Sequence, residues 1–316
     1  MKKSFILLLL FLCASFCGAA ESEKPGLGMW VWPQTAFDTP AAREKLLAFC
    51  ADERITHLDQ HVGFGKGATG LSLQNADALG KLVVAARKQG ITINALRGSA
   101  DMFFERNHER MLHELREIVA YDKRLPAGAR LSGVKYDVEP YGTVEWKAGG
   151  EKREKVMLDY LSFLVKAKLL LAKEAPHMEL SMDVPFWWDK EELSVAFHGN
   201  EKPFIKHVQD LADYITIMSY RPDSKATLEC VQLELAYAEE IGKSISPAIE
   251  TGDMKGKESW ISFHGKPPAV FRQTVSELQK TLSGNTAVRC IMIHHYDSLA
   301  TYLGKTPGKP EAGDGL

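Results

Sequence analysis

Asp137 and Glu139 stand two residues apart in Gly133-Val134-Lys135-Tyr136-Asp137-Val138-Glu139-Pro140-Tyr141, and their types and spacing suit proton transfer. The segment reads as a short strand. Val134, Tyr136 and Val138 face one side of it, and Lys135, Asp137 and Glu139 the other. Two like charges on one face must be desolvated together, which is a poor way to stabilise a sheet. A carboxyl pair of this kind suits general acid work, because repulsion between its members lifts a pKa toward the working pH. Along its own strand the pair can find a cation only at Lys135.

The elements that must position this pair alternate along the chain. Strand-like runs at 27–32, 56–62, 91–97, 133–139, 179–185, 214–220, 244–250 and 290–296 are separated by helical patterns. The helices fall near 41–52, 75–89, 105–121, 152–174, 204–211, 228–241 and 268–282. Parallel strands need a crossover helix to return. Eight such units without a linker or a composition break therefore predict one closed (β/α)8 barrel, a single domain over 21–304. A doubly wound open sheet fits less well, since Trp30-Val31-Trp32-Pro33 stands where a glycine-rich phosphate turn would follow the first strand.

In the later strands one parity is apolar, as in Leu180/Met182/Val184 and Ile291/Ile293, while polar residues of the other parity lie late in each strand. A barrel carries its active site on that C-terminal rim. The inward rim set is then Asp59, His61, Arg97, Asp137, Glu139, Asp183, Met218, Tyr220, Glu250, His294 and Tyr296. For Asp59 and Asp183 the alternative is a structural ion network with Arg97 or Lys135. All six tryptophans, at 30, 32, 146, 187, 188 and 260, fall at strand ends or in the loops that follow strands. Aromatic faces gathered at a cleft stack on the apolar faces of sugars while nearby carboxylates take hydroxyls, so a carbohydrate is the expected partner. Trp30, Trp32, Tyr141 and Trp187 are the expected sugar contacts, with Trp188, Trp146 and Trp260 as further platforms on long loops at 140–150, 186–202 and 251–267.

Composition narrows the rest. The net charge of -2 and pI near 6.6 offer no field for nucleic acid or an anionic membrane. Residues 1–20 run from Lys2-Lys3 through an apolar stretch to Gly18-Ala19-Ala20 and predict a cleaved export signal; anchoring at Cys17 is disfavoured by bulky Phe16. Residues 305–316 read as a flexible tail. Cys50, Cys230 and Cys290 remain, too few and too widely spaced for a disulfide framework or a metal knuckle. No metal or organic cofactor is expected. His294 and His295 are adjacent on a strand and would point to opposite faces, and no His-Glu-x-x-His occurs.

The fourth-strand Asp137-Val138-Glu139 resembles the Asp-x-Glu end of the glycoside hydrolase family 18 motif, and Met218-Ser219-Tyr220 resembles that family's sixth-strand Met-x-Tyr. The resemblance implies a general acid at Glu139, with Asp137 and Tyr220 orienting the substrate's own N-acetyl group. The chain departs at Lys135, where the family pattern has Asp, at Arg221, where an acid is common, and on the last strand, where His294 and Tyr296 replace a Trp. An uncharacterised sister family of barrel glycosidases fits these departures. Two other readings stay open: a retaining pair of Glu139 and Glu250, and a silent glycan-binding barrel.

Overall fold

The computed structural model describes residues 24–67 and 70–305. The expected leader at 1–20 with Cys17, and all of the expected tail except Lys305, lie outside the described residues. Twelve strands occur among the described residues: β1 Gly26–Val31, β2 Ile55–His61, β3 Phe64–Gly67, β4 Gly70–Leu73, β5 Thr92–Gly98, β6 Gly133–Asp137, β7 Glu179–Pro185, β8 Ser194–Phe197, β9 Asn200–Pro203, β10 Tyr214–Met218, β11 Ser244–Glu250 and β12 Cys290–His294. Ten helices accompany them: α1 Pro40–Glu53, α2 Ala76–Lys88, α3 His108–Asp122, α4 Val144–Lys147, α5 Gly150–Glu174, α6 Phe204–Leu211, α7 Ser224–Glu229, α8 Gln232–Ile241, α9 Pro268–Thr281 and α10 Tyr296–Tyr302. No helix among the described residues is long and apolar enough to cross a membrane.

Eight parallel strands close in the order β1-β12-β11-β10-β7-β6-β5-β2, which is the (β/α)8 barrel expected from the alternation. Their outward residues, among them Val31, Val134, Leu180, Met182, Ile215 and Ile293, form one continuous core with the helices. That burial holds the barrel inside its helical ring. The helices are ended by local chemistry: Thr39 accepts from the Ala42 amide and Pro40 occupies the first turn of α1, while Gly242 takes the left-handed conformation that closes α8.

Three strands stop two residues earlier than their alternation suggests. β6 ends at Asp137 because Pro140, which has no amide hydrogen to give a ladder, opens a short 3-10 turn at Pro140–Gly142. β10 ends at Met218. β12 ends at His294, since Ser298 caps the backbone of His295 and starts α10 at Tyr296. Two connections, after β2 and after β7, contain the hairpins β3-β4 and β8-β9. The β8-β9 turn is His198-Gly199, both at positive φ (51° and 81°), the two-residue geometry that matches strand twist.

Candidate active site

The barrel interior divides into two halves. Trp30, Ala248, Cys290 and Met292, from β1, β11 and β12, make an apolar cluster that Leu96 joins from β5. Opposite them lies a buried polar network centred on Lys135, which is wholly inaccessible. Its ammonium lies 3.0 Å from Asp183 and 3.6 Å from Asp59 and sits 4.9 Å from the Tyr214 ring centroid; it also bonds the Thr216 hydroxyl. Asp59 accepts from Asn94, at 2.9 Å, and meets His57 at 3.0 Å; Asp183 accepts from the Trp30 indole at 2.8 Å. Burial pushes the Asp59 carboxyl up, but Lys135 and His57 outweigh it and bring it down to about 2. For Asp183 burial prevails over Lys135, helped by repulsion from Asp59, and its pKa rises to about 6. Asp59 and Asp183 thus serve the ion network, and Lys135 is a charge clamped in the barrel centre.

Directly above this network stands the carboxyl pair. Asp137 is opposite Asp183 on β7 and opposite Gly98 on β5. A side chain at position 98 would begin 2.9 Å from the Asp137 carbonyl and 3.2 Å from the Trp32 ring, so glycine there lets both approach. Burial, then Asp183, then Glu139 raise the Asp137 carboxyl well above the ordinary range, against a smaller opposing pull from Lys135. One of its oxygens, Oδ1, is buried without a hydrogen-bond partner among the described residues. Glu139 is half-buried at the start of the 3-10 turn and makes no side-chain hydrogen bond to another described residue. Its charge acts on both Asp137 and Tyr220.

Around the pair the ends of the first and last strands supply an aromatic wall. Tyr220 lies 5.8 Å from His294, ring centroid to centroid, and Trp32 lies 5.8 Å from His61. Burial and the surrounding carboxyls of Glu250, Asp137, Asp183 and Glu139 hold the Tyr220 phenol well above its ordinary pKa, so it acts as a neutral hydroxyl. The Trp32 indole N-H is 3.2 Å from His294 Nε2. An indole can only donate, so Nε2 accepts and the proton sits on Nδ1, which gives it to Glu250 at 2.6 Å. The other Glu250 oxygen accepts from the Gly252 amide at 2.6 Å. Glu250 is 1 % exposed and fully engaged in holding His294. Burial, with Arg97 adding to it, lowers the His61 imidazole to about 4 and keeps it neutral. A cavity of about 820 Å³ opens beside His294, between the 251–267 loop and α10; its lining includes Glu250 but neither Asp137 nor Glu139.

Of the residues expected at the rim, Glu139, Asp137, Tyr220, Met218, Trp30, Trp32, His61, Asp183, Glu250 and His294 lie at inward or mouth positions. Arg97 does not. It has the outward parity of Ile93 and Ala95, and its guanidinium lies between barrel and helices, donating to Glu114 on α3 at 2.8 and 3.0 Å and to the Val62 carbonyl. Tyr296 does not either. With β12 ended at His294 it falls on the buried side of α10, edge-on to Phe49 at 5.3 Å. Trp146 and Trp188 are also displaced from the cleft: they stack at 5.9 Å in the apolar layer with Phe204 and Tyr160. Trp187 stays half-buried at the mouth, edge-on to Tyr141 at 5.2 Å. Gly98 is the positioning feature that sequence reasoning did not assign; of the two cations offered as structural partners for Asp59 and Asp183, the structure takes Lys135 and not Arg97. Among the described residues no group of three or more His, Cys, Asp and Glu is placed to hold a metal ion.

No protein-family model and no curated protein matches the chain. Solved structures do. A chitinase from Bacteroides thetaiotaomicron is 14% identical and superposes over 92% of this chain and 100% of its own, with a TM-score of 0.53. A glycoside hydrolase family 18 chitinase from Pseudoalteromonas aurantia is 11% identical over 89% of this chain and 99% of its own, with a TM-score of 0.51. At these identities the similarity is one of fold, and the fold of this chain is the (β/α)8 barrel on which those chitinases are built.

Proposed function

We propose that the protein is an exported glycoside hydrolase that cleaves polymers containing N-acetylhexosamine, with Glu139 as proton donor. The observation that carries this reading is the carboxyl pair itself: Asp137, half-buried with one oxygen inaccessible and unbonded, keeps its proton further up the pH scale than a free carboxyl, while Glu139 is half-buried and makes no hydrogen bond to a described side chain. A buried carboxyl beside others of its kind keeps its proton, and Asp137 can supply it to Glu139. As the glycosidic bond breaks, Glu139 passes that proton to the leaving oxygen. The carbonyl of the substrate's own N-acetyl group closes on the anomeric carbon, with Asp137 and the neutral Tyr220 hydroxyl orienting it. Water then reopens the ring intermediate as Glu139 recovers its proton.

The Glu250 hydrogen bonds to His294 and Gly252 favour this route over a carboxylate nucleophile at Glu250, because a nucleophile must be free to approach the sugar. Retention of Glu139 favours an enzyme over a silent binding barrel. The leader-like residues 1–20 support export. Chitopentaose and chromogenic N-acetylglucosaminides, glucosides and galactosides form the test panel. Glu139→Gln is expected to lower kcat by about 10³-fold or more while ligand affinity stays within a few-fold. Full activity of that variant would sink the assignment.

A further inference from the structure

Arg221 follows Tyr220 directly and is gripped by aromatic rings from two neighbouring loops. Its guanidinium carbon lies 5.0 Å from the Phe186 ring centroid and 4.6 Å from that of Trp260. Phe186 follows β7, Arg221 follows β10 and Trp260 lies in the loop after β11, three consecutive strands of the closed barrel. The cluster therefore stands on the same rim as Asp137, Glu139 and Tyr220. One guanidinium N-H, from Nη1, is donated to the Tyr220 carbonyl at 2.7 Å. Among the described residues no carboxylate forms an ion pair with Arg221; Asp223, two residues on, is turned to the Ala226 amide as the cap of α7. Trp260 is 59 % exposed, so the outer side of the cluster faces solvent.

Flat rings restrain a guanidinium to a plane and leave its edge to present several N-H groups. An unpaired cation so presented suits a carboxylate, which takes two parallel hydrogen bonds from the fork. The setting adds selectivity: Asp137 and Glu139 at the centre of the site offer carboxyls and no free cation, since Lys135 is held by Asp59 and Asp183, so an anionic sugar needs a cation at the rim to be held in register. We propose that Arg221 binds a carboxylate carried by a sugar flanking the cleavage point, which makes acidic N-acetylhexosamine glycans the preferred substrate class. This rests on the glycosidase reading of Asp137 and Glu139. The carboxylate can come from a lactyl ether on an aminosugar or from an alternating hexuronic acid.

The test separates these sources and separates Arg221 from turnover. Peptide-stripped peptidoglycan glycan strands and hyaluronan are each compared with the same polymer after reduction of its carboxyls to alcohols, with chitopentaose as the neutral chain. Affinities are measured by calorimetry on the Glu139→Gln protein, and kcat/KM on the wild type. At least one acidic polymer should bind about tenfold or more tightly than its reduced form, the factor that one good charged contact supplies; which one does so identifies the source. Adding Arg221→Gln should bring that ratio to about one, and Arg221→Lys, which keeps the charge without the fork, should fall between. Equal affinity for native and reduced polymers, or a preference that survives both substitutions, overturns the proposal. Absence of turnover on every polymer would instead remove the glycosidase reading, and the affinity ratio would still decide the role of Arg221.

Discussion

At the scale of single residues the site works through a charge imbalance. Lys135 is shared between Asp59 and Asp183, so its charge is already spent when Asp137 is reached, and Asp137 is left half-buried beside two further carboxyls. A group whose folded pKa lies above its unfolded value contributes most below the unfolded value, about 3.9 for Asp, and that contribution is lost as pH rises toward the folded value. At neutral pH Asp137 therefore destabilises the fold. Asp137→Asn keeps the shape and removes the ionisable proton, so the melting temperature at pH 7 to 8 should rise by a few degrees while kcat falls by about 10²-fold or more. A calorimetric scan and a rate measurement on one preparation check both. A lowered melting temperature would mean that Asp137 is ionised and paired.

The element scale explains which parts of this arrangement were legible in the sequence. Eight strand-helix units, their order and the inward Asp137 of the fourth barrel strand follow from alternation, because period two and the crossover helix are strong constraints; Glu139 lies beyond that strand's end, at the turn opened by Pro140. Parity, however, assigns a face only for as long as a strand continues. Tyr296 has the parity of His294 but lies beyond the end of β12, where Ser298 starts a helix; Arg97, still within β5, has the parity of Ile93 and Ala95 and with them the outer side. The 3-10 turn Phe186–Asp189 likewise divides adjacent tryptophans: Trp188 is fully buried against Phe204 at 4.7 Å, while Trp187 remains at the mouth with Tyr141. Trp188→Ala should cost about 3–5 kcal/mol of stability, the loss expected of a buried large aromatic. Trp187→Ala should change stability by less than about 1.5 kcal/mol and weaken glycan binding several-fold. Denaturant midpoints and glycan titrations distinguish the two. Comparable stability losses for both variants would place Trp187 in the core instead.

For the whole molecule the buried groups compete in their pH dependence, and their signs decide where stability peaks. Burial raises Asp137 well above its ordinary value, Glu234 to about 7 and Asp183 to about 6. Each of these carboxyls adds stability as pH falls from its folded toward its unfolded pKa. Burial lowers His61 and His295 to about 4. Each of these imidazoles stabilises above its unfolded pKa of about 6.5 and loses that contribution as pH falls to the folded value, because the unfolded chain takes up protons first. Asp59, at about 2, adds a further loss below about pH 4. Between pH 8 and 6.5 only the carboxyls act, so stability should climb as the solution is acidified. Below about 6.5 the histidines oppose them, and below about 4 Asp59 joins the histidines. The melting temperature should therefore peak on the acid side of neutrality, near pH 6, and Glu234→Gln should flatten the limb between pH 6 and 8 without touching the rim. A scan from pH 4 to 9 that found the maximum at pH 8 or above would show that these carboxyls are ionised in the folded barrel, and would remove with them the protonated Asp137 on which the proposed proton donor relies.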